Sequence, residues 1–197
     1  MRAVCLASGP SLTPDDVERV RIWRQGGGLV IVANTTFRMA PWADAVFAMD
    51  RKWWEHHYTE VCEVFAGRRL TTASLDERFD VERLKVQSYR NSGAGCVSVA
   101  VAEGAKSVVL VGYDCAKDDG KTHWHGSHPA GLSDAKTIKV WPLIFDRMAK
   151  EMKRKGVWVL NASRRTALKC FERVALEDVF EENRTAADRV APEPRKP

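Results

Sequence analysis

Three of the chain's five histidines fall within six residues, in the stretch Thr122-His123-Trp124-His125-Gly126-Ser127-His128-Pro129. Imidazole is the side chain whose proton moves near neutral pH, so His123, His125 or His128 on a surface loop suits a general base, a role worth about 10² to 10⁴ in rate. The same three could converge with Asp114 or Asp118 on a metal ion. HxHxxH in a loop lacks the fixed spacing of a helical HExxH, however, and the sequence assigns no metal. A third reading has the histidines pinning the loop by hydrogen bonds.

Other candidates sit where short apolar runs end. Ser8-Gly9-Pro10-Ser11 follows the first run and leads into a helix start, and its small residues let backbone N–H groups approach an anion. It is neither GxGxxG nor a Walker loop. Asn34-Thr35-Thr36 follows the second run and Asp50-Arg51-Lys52 the third. An asparagine there can hold a nucleoside edge or a phosphate oxygen, and Asp50 can accept from a ribose or acceptor hydroxyl; the alternative is Asx turns closing the strands. Asn91-Ser92-Gly93-Ala94-Gly95 opens a smooth small-residue helix with Ser92 as the expected N-cap, a second anion-accepting end. Gly112-Tyr113-Asp114 delivers another carboxylate after a further apolar run.

These positions need a scaffold that lines them up. Apolar, β-branched runs at Ala3–Ala7, Leu29–Ala33, Ala45–Met49, Leu84–Gln87, Ser107–Val111 and Val157–Leu160 alternate with amphipathic segments at Thr13–Arg24, Ser92–Glu103 and Thr137–Lys155. That alternation predicts a single α/β, Rossmann-like domain, a mostly parallel sheet flanked by helices, in which ligands bind beyond the carboxyl ends of the strands. The domain is expected to span 1–182, closing with a helix near Leu176–Glu182, and 183–197 to be a flexible tail. The segment 115–136 is too long and polar for a simple connection and is expected to act as a lid.

With 197 residues, 45% apolar and 29% charged, the composition is that of a folded globular chain and excludes collagenous and low-complexity classes. No apolar run approaches the roughly 18 residues of a membrane span, and no signal peptide is read at the start, so a cytoplasmic location is expected. The five cysteines stand singly without CxxC, which argues against a disulfide framework or a thiolate zinc site. The net charge of +5 is compatible with an anionic ligand and selects nothing further. Scattered basic residues do not favour a nucleic-acid surface.

The order of strand, Gly9-Pro10-Ser11 turn, helix, strand, Asn34, strand, Ser92-Gly93 helix, then strand with Gly112 and Asp114 resembles the bacterial sialyltransferases that use CMP-sialic acid and the related archaeal 6-hydroxymethylpterin diphosphokinases. The resemblance covers residues 3 to 116. It implies a nucleotide at Gly9, Pro10, Ser11, Asn34, Ser92 and Gly93, to which the reading of the strand ends and helix start adds Ser8, Asp50 and Asn91. Ser8 stands where the sialyltransferases carry an asparagine, and the tyrosines that follow their strand end and grip the phosphate are absent. Their catalytic histidine lies between that strand and the chain end. The Ala40–Asp44 and Trp53-Trp54 segments and the His-Trp-His loop also resemble uncharacterised proteins of tailed phages and prophages, for which the location is the host cytoplasm.

The leading expectation is therefore a nucleotide-dependent, glycosyltransferase-like enzyme. It takes a nucleotide-sugar donor and a hydroxyl acceptor (a small molecule, a glycan or a modified base), with His123, His125 or His128 as base and Asp114 in the catalytic set. A diphosphokinase-like transfer from ATP, with Mg²⁺ on Asp50 and Asp114, is the alternative. A non-enzymatic nucleotide or nucleic-acid binding module is the third.

Overall fold

A computed structural model describes residues 1–126, 128, 129, 132 and 137–180. Eight strands form one sheet: β1 (Arg2–Leu6), β2 (Leu29–Ala33), β3 (Ala45–Phe47), β4 (Arg68–Thr71), β5 (Glu82–Arg83), β6 (Ser107–Val111), β7 (Trp158–Asn161) and β8 (Glu172–Arg173). Their order is β5-β4-β3-β2-β1-β6-β7-β8, and every pairing is parallel. The central strands are apolar on both faces because both faces are covered. Val4, Leu6, Val30, Val32 and Val46 point to one side and pack under α1 (Pro14–Arg24) and α2 (Arg51–Val64). Ala3, Cys5, Ile31, Ala45 and Phe47 point to the other, under α3 (Ser92–Ala102) and α4 (Trp141–Arg154).

The helices start and stop as their sequences require. Thr13 caps α1 in a capping box with Asp16, and Pro14 stands at the first position. The buried face of α2 is Trp53, Trp54, His57 and Val61, spaced for one side of a helix. Trp54 is fully buried and its indole N–H donates to the Ala48 carbonyl at 2.9 Å. That bond fixes the entry of α2 directly after β3. Among the described residues, no helix is long and apolar enough to cross a membrane.

The expected α/β architecture is observed, with five local corrections. Leu84–Gln87 is not a strand: the pairing is made by Glu82–Arg83, and Leu84 and Val86 turn inward to pack against the core beneath α3 and α4. Strand β4 was not expected because Arg68 and Arg69 hide its pattern; on this short outer strand they pair with Glu82, Glu103 and Asp80. Strand β8, only two residues long, carried no pattern to read. Asn91, not Ser92, caps α3, its side chain accepting from the Ala94 N–H at 3.0 Å. Cys62 is exposed rather than buried like Cys5 and Cys96. The chain is helical over 176–180, while 181–197, with the expected helix end and tail, lies outside the described residues.

Replacing Trp54 with alanine should cost about 3–5 kcal/mol of unfolding free energy in urea, since it empties a fully buried indole. Trp54→Phe should lose less than half as much, because Ala48 keeps its bond from the Thr71 hydroxyl at 2.7 Å. Equal losses in the two variants would contradict this packing account.

Candidate functional site

Strand β1 is the point where the sheet order reverses: β2 to β5 extend to one side of it and β6 to β8 to the other. In such sheets the crevice for ligands opens beyond the carboxyl ends of the strands at that switch. Here protein closes the gap between β1 and β6. The Gly9 N–H donates to the Gly112 carbonyl at 2.8 Å, and Ser11 donates to the Asp114 carboxylate twice, from its N–H and its hydroxyl, each at 2.8 Å. A Cβ on Gly9 would lie 2.1 Å from Asp114 Oδ1 and 2.4 Å from the Gly112 oxygen, which is why glycine stands there. Asp114 is 2% exposed; burial raises its carboxyl pKa and the bonds from Ser11 oppose that rise.

The N–H groups expected to meet a phosphate in this turn are thus engaged within the protein. Leu12 N–H donates to the Gly9 carbonyl, Thr13 N–H to Asp16, and Pro10 has none to offer. Asp15 and Asp16 already compensate the positive end of α1. Arg164 is paired with Asp16 at 2.8 Å, and Arg165 with Asp118.

The α3 end is built differently. Its first turn carries no acid. The Ser92 hydroxyl accepts from the Met49 N–H at 3.2 Å, so the helix start is tied to the end of β3 beside Asp50. The Gly93 carbonyl accepts from the Tyr113 hydroxyl at 3.0 Å. Asp50 precedes α2 but makes no capping bond and is exposed. Neighbouring cover raises its pKa, and the nearby His128 opposes that shift.

Over these strand ends lies the histidine loop. It is anchored to the first strand's end by Trp124 N–H donating to the Ser8 carbonyl at 3.0 Å and by a 3.0 Å bond between the Ser8 hydroxyl and His123 Nδ1. His123 is 6% exposed, and Trp124 packs against the core beneath α1 and α2. The three rings touch: centroids of His123 and His125 are 5.1 Å apart and nearly parallel, with His128 4.7 Å from His123 and 5.1 Å from His125. Burial first, then the neighbouring imidazoles, lowers the His125 pKa to about 3, so this ring is neutral at physiological pH. Of the expected 115–136 lid, residues 127, 130, 131 and 133–136 lie outside the described residues.

The structure thus brings Ser8, Asn34, Asp50, His123, His125 and His128 to the carboxyl ends of three adjacent strands, with Asn91, Ser92 and Gly93 alongside. Asp114, Gly9, Pro10 and Ser11 form the neighbouring closed turn. Asn34 has a φ of +50°, a conformation asparagine tolerates, and its buried Oδ1 has no hydrogen-bond partner. The buried Trp124 Nε1 and His125 Nε2 also have none.

Sequence reasoning passed over His57 and Arg38, whose charges both act on His125. His57 is 2% exposed and its Nε2 is unpartnered. Its signal was available: it falls on the buried stripe Trp53, His57, Val61, where a polar ring is out of place. A surface hollow of about 510 Å³ lined by Lys85, Lys106 and Lys155 is at the amino end of the sheet, away from this edge. A second, of about 460 Å³, lies on the carboxyl side beyond β7 and β8, away from β1 to β3, and is lined in part by Ala162, Ser163 and the paired Asp16 and Arg164.

No family model matches the sequence, and no curated protein is similar to it. The geometry of the edge therefore carries the functional reasoning.

Two outcomes test this description. Asp114→Ala should lower stability by about 2–4 kcal/mol, because two donors of Ser11 lose a buried charged acceptor, whereas Asp50→Ala should stay within about 0.5 kcal/mol, as an exposed substitution does. Comparable losses would mean that Asp50 is part of the scaffold. The second is acid lability. Burial, with His56 and Arg38 nearby, lowers the His57 pKa to about 4. The unfolded chain then binds a proton that the folded one refuses, so stability is full above about pH 6.5 and falls by up to ~1.4 kcal/mol per pH unit as pH drops toward 4. Urea unfolding of His57→Gln should show a shallower decline over that window; an unchanged slope would remove His57 from the account.

Proposed function

We propose that this chain is a nucleotide-dependent group transferase, glycosyltransferase-like, that works over the carboxyl ends of β1, β2 and β3. The observation that supports it is the set of buried polar atoms left unspent at that edge, Asn34 Oδ1, Trp124 Nε1 and His125 Nε2, since the great majority of buried polar groups in native proteins are paired and a cluster of unpaired ones marks a place for water, an ion or a ligand.

In this reading the donor's phosphate lies at the start of α3, at Asn91, Ser92 and Gly93, where no acid opposes it, and Asn34 meets the nucleoside. The closed turn at Gly9 and Ser11 supports that site without touching the phosphate. Asp50 takes the proton of the acceptor hydroxyl: its carboxylate is free of capping and open to solvent, whereas His125 at about 3 is too weak a base near neutrality. The acceptor oxygen forms its bond to the sugar's anomeric carbon as the bond from that carbon to the phosphate oxygen breaks, and the nucleotide leaves with the electron pair. The histidine loop covers the reacting centre and keeps water from taking the acceptor's place.

Melting temperature across CMP, UMP, UDP, GDP, ADP and ATP, with and without Mg²⁺, tests the donor class, because a ligand at 100 times its Kd adds about 2.7 kcal/mol. A Mg²⁺-independent rise with one pyrimidine or guanine nucleotide is expected, and its loss in an Asn91→Ala/Ser92→Ala variant. Asp50→Asn should keep nucleotide affinity within about threefold while transfer falls at least 100-fold, the mark of a group that acts in the transition state. A response to Mg-ATP alone would replace the sugar donor with a phosphoryl donor, and no response to any nucleotide would sink the transferase reading.

A further inference from the structure

We propose that His123, His125 and His128 form a binding site for one divalent transition-metal ion of the zinc class. The ligating atoms available from the three side chains all lie within 4.8 Å of one another. An ion held at ~2.1 Å from each nitrogen needs them about 3.4 Å apart, so the widest pair must close by little more than an ångström, within reach of imidazole rotation.

Two features distinguish this from histidines that merely hold a loop. Anchoring rings spend their nitrogens on the chain around them, but His125 Nε2 is buried and bonded to nothing. His123, by contrast, is oriented in the manner of a metal ligand. One ring nitrogen, Nδ1, is fixed at 3.0 Å by the Ser8 hydroxyl, which leaves Nε2 as the nitrogen facing away. A second-sphere bond of that kind sets the tautomer and aim of ligating imidazoles. The stacking of His123 on His125 at an interplanar angle of 8° also sets two imidazoles side by side, where one cation can be shared between them.

The donor set chooses the ion. Calcium and magnesium take oxygen ligands, whereas imidazole nitrogen suits zinc and its first-row neighbours. Three protein nitrogens leave a fourth position for water or a substrate oxygen, the pattern of a catalytic rather than a structural zinc site. Asp50 is close enough to His128 to feel its charge. Metal binding goes beyond the transferase reading and is measured without nucleotide or turnover, so either can fail alone.

Full-length protein carrying no histidine tag would be stripped with chelator, then titrated with Co²⁺ and Zn²⁺, with Mg²⁺ as a comparison. One equivalent of Co²⁺ should give the intense visible absorption of a four-coordinate nitrogen site, Zn²⁺ should displace it, and each ion should raise the melting temperature while Mg²⁺ does not. His125→Ala should weaken Co²⁺ binding at least 100-fold, with circular dichroism checking that the variant is folded; His56→Ala, on an exposed histidine outside the group, should bind as the parent does. Should the variant misfold, the parent's spectrum decides alone. Only the weak absorption of hydrated Co²⁺, substoichiometric binding, or equal affinity in folded His125→Ala would overturn the site and leave the histidines as loop anchors.

Discussion

The buried carboxylate of Asp114, closed over the N–H and hydroxyl of Ser11, joins the two halves of the sheet where the chain leaves β1 in opposite directions. A parallel sheet leaves the ends of its central strands splayed at this point, and most open sheets fill the gap with a ligand. This chain fills part of it with itself. The closure needs glycine at position 9, because any side chain would collide with Asp114 and with the Gly112 carbonyl. It also consumes N–H groups of Ser11 and Gly9 that a phosphate would use, which leaves the ends of β2 and β3 as the more open part of this edge.

That closure explains where the histidine loop lies. With the β1–β6 gap closed, the loop following Asp114 crosses β1, bonds to both the carbonyl and the hydroxyl of Ser8, and brings His123 down over the strand ends. Trp124 buries itself against the core on the α1 and α2 side. Packing of one indole and two hydrogen bonds to one residue therefore position three imidazoles. The price is electrostatic: burial and crowding keep His125 from taking up a proton, which favours a lone-pair role over a proton-carrying one for that ring.

Much of the framework was legible. Val4, Leu6, Val30 and Val32 alternate with Ala3, Cys5 and Ile31 in short β-branched runs, and such runs between amphipathic helices have few solutions other than a covered parallel sheet. The start of α1 at Thr13 was equally visible. Strand β4 was not, since Arg68-Arg69-Leu70-Thr71 gains its strand conformation from neighbours: Ala45 to Phe47 on one side, and ion pairs with glutamates distant in sequence on the other. Leu84 and Val86 misled for the converse reason, as alternation records burial and not pairing.

The sequence by itself determined which side chains could do chemistry and that they fall after strands, because residue type and hydrophobic period are local properties. Only the tertiary structure decided which of them are spent. Ser11 and Asp114 satisfy each other across a separation of 103 residues, and Ser8 meets His123 across 115. His57, absent from the candidates that the sequence offers, lies buried near His125 because α2 packs its Trp53, His57 and Val61 stripe inward. A hydrogen bond between distant residues leaves no trace in local composition, and it is those bonds that separate a closed structural turn from an open polar edge.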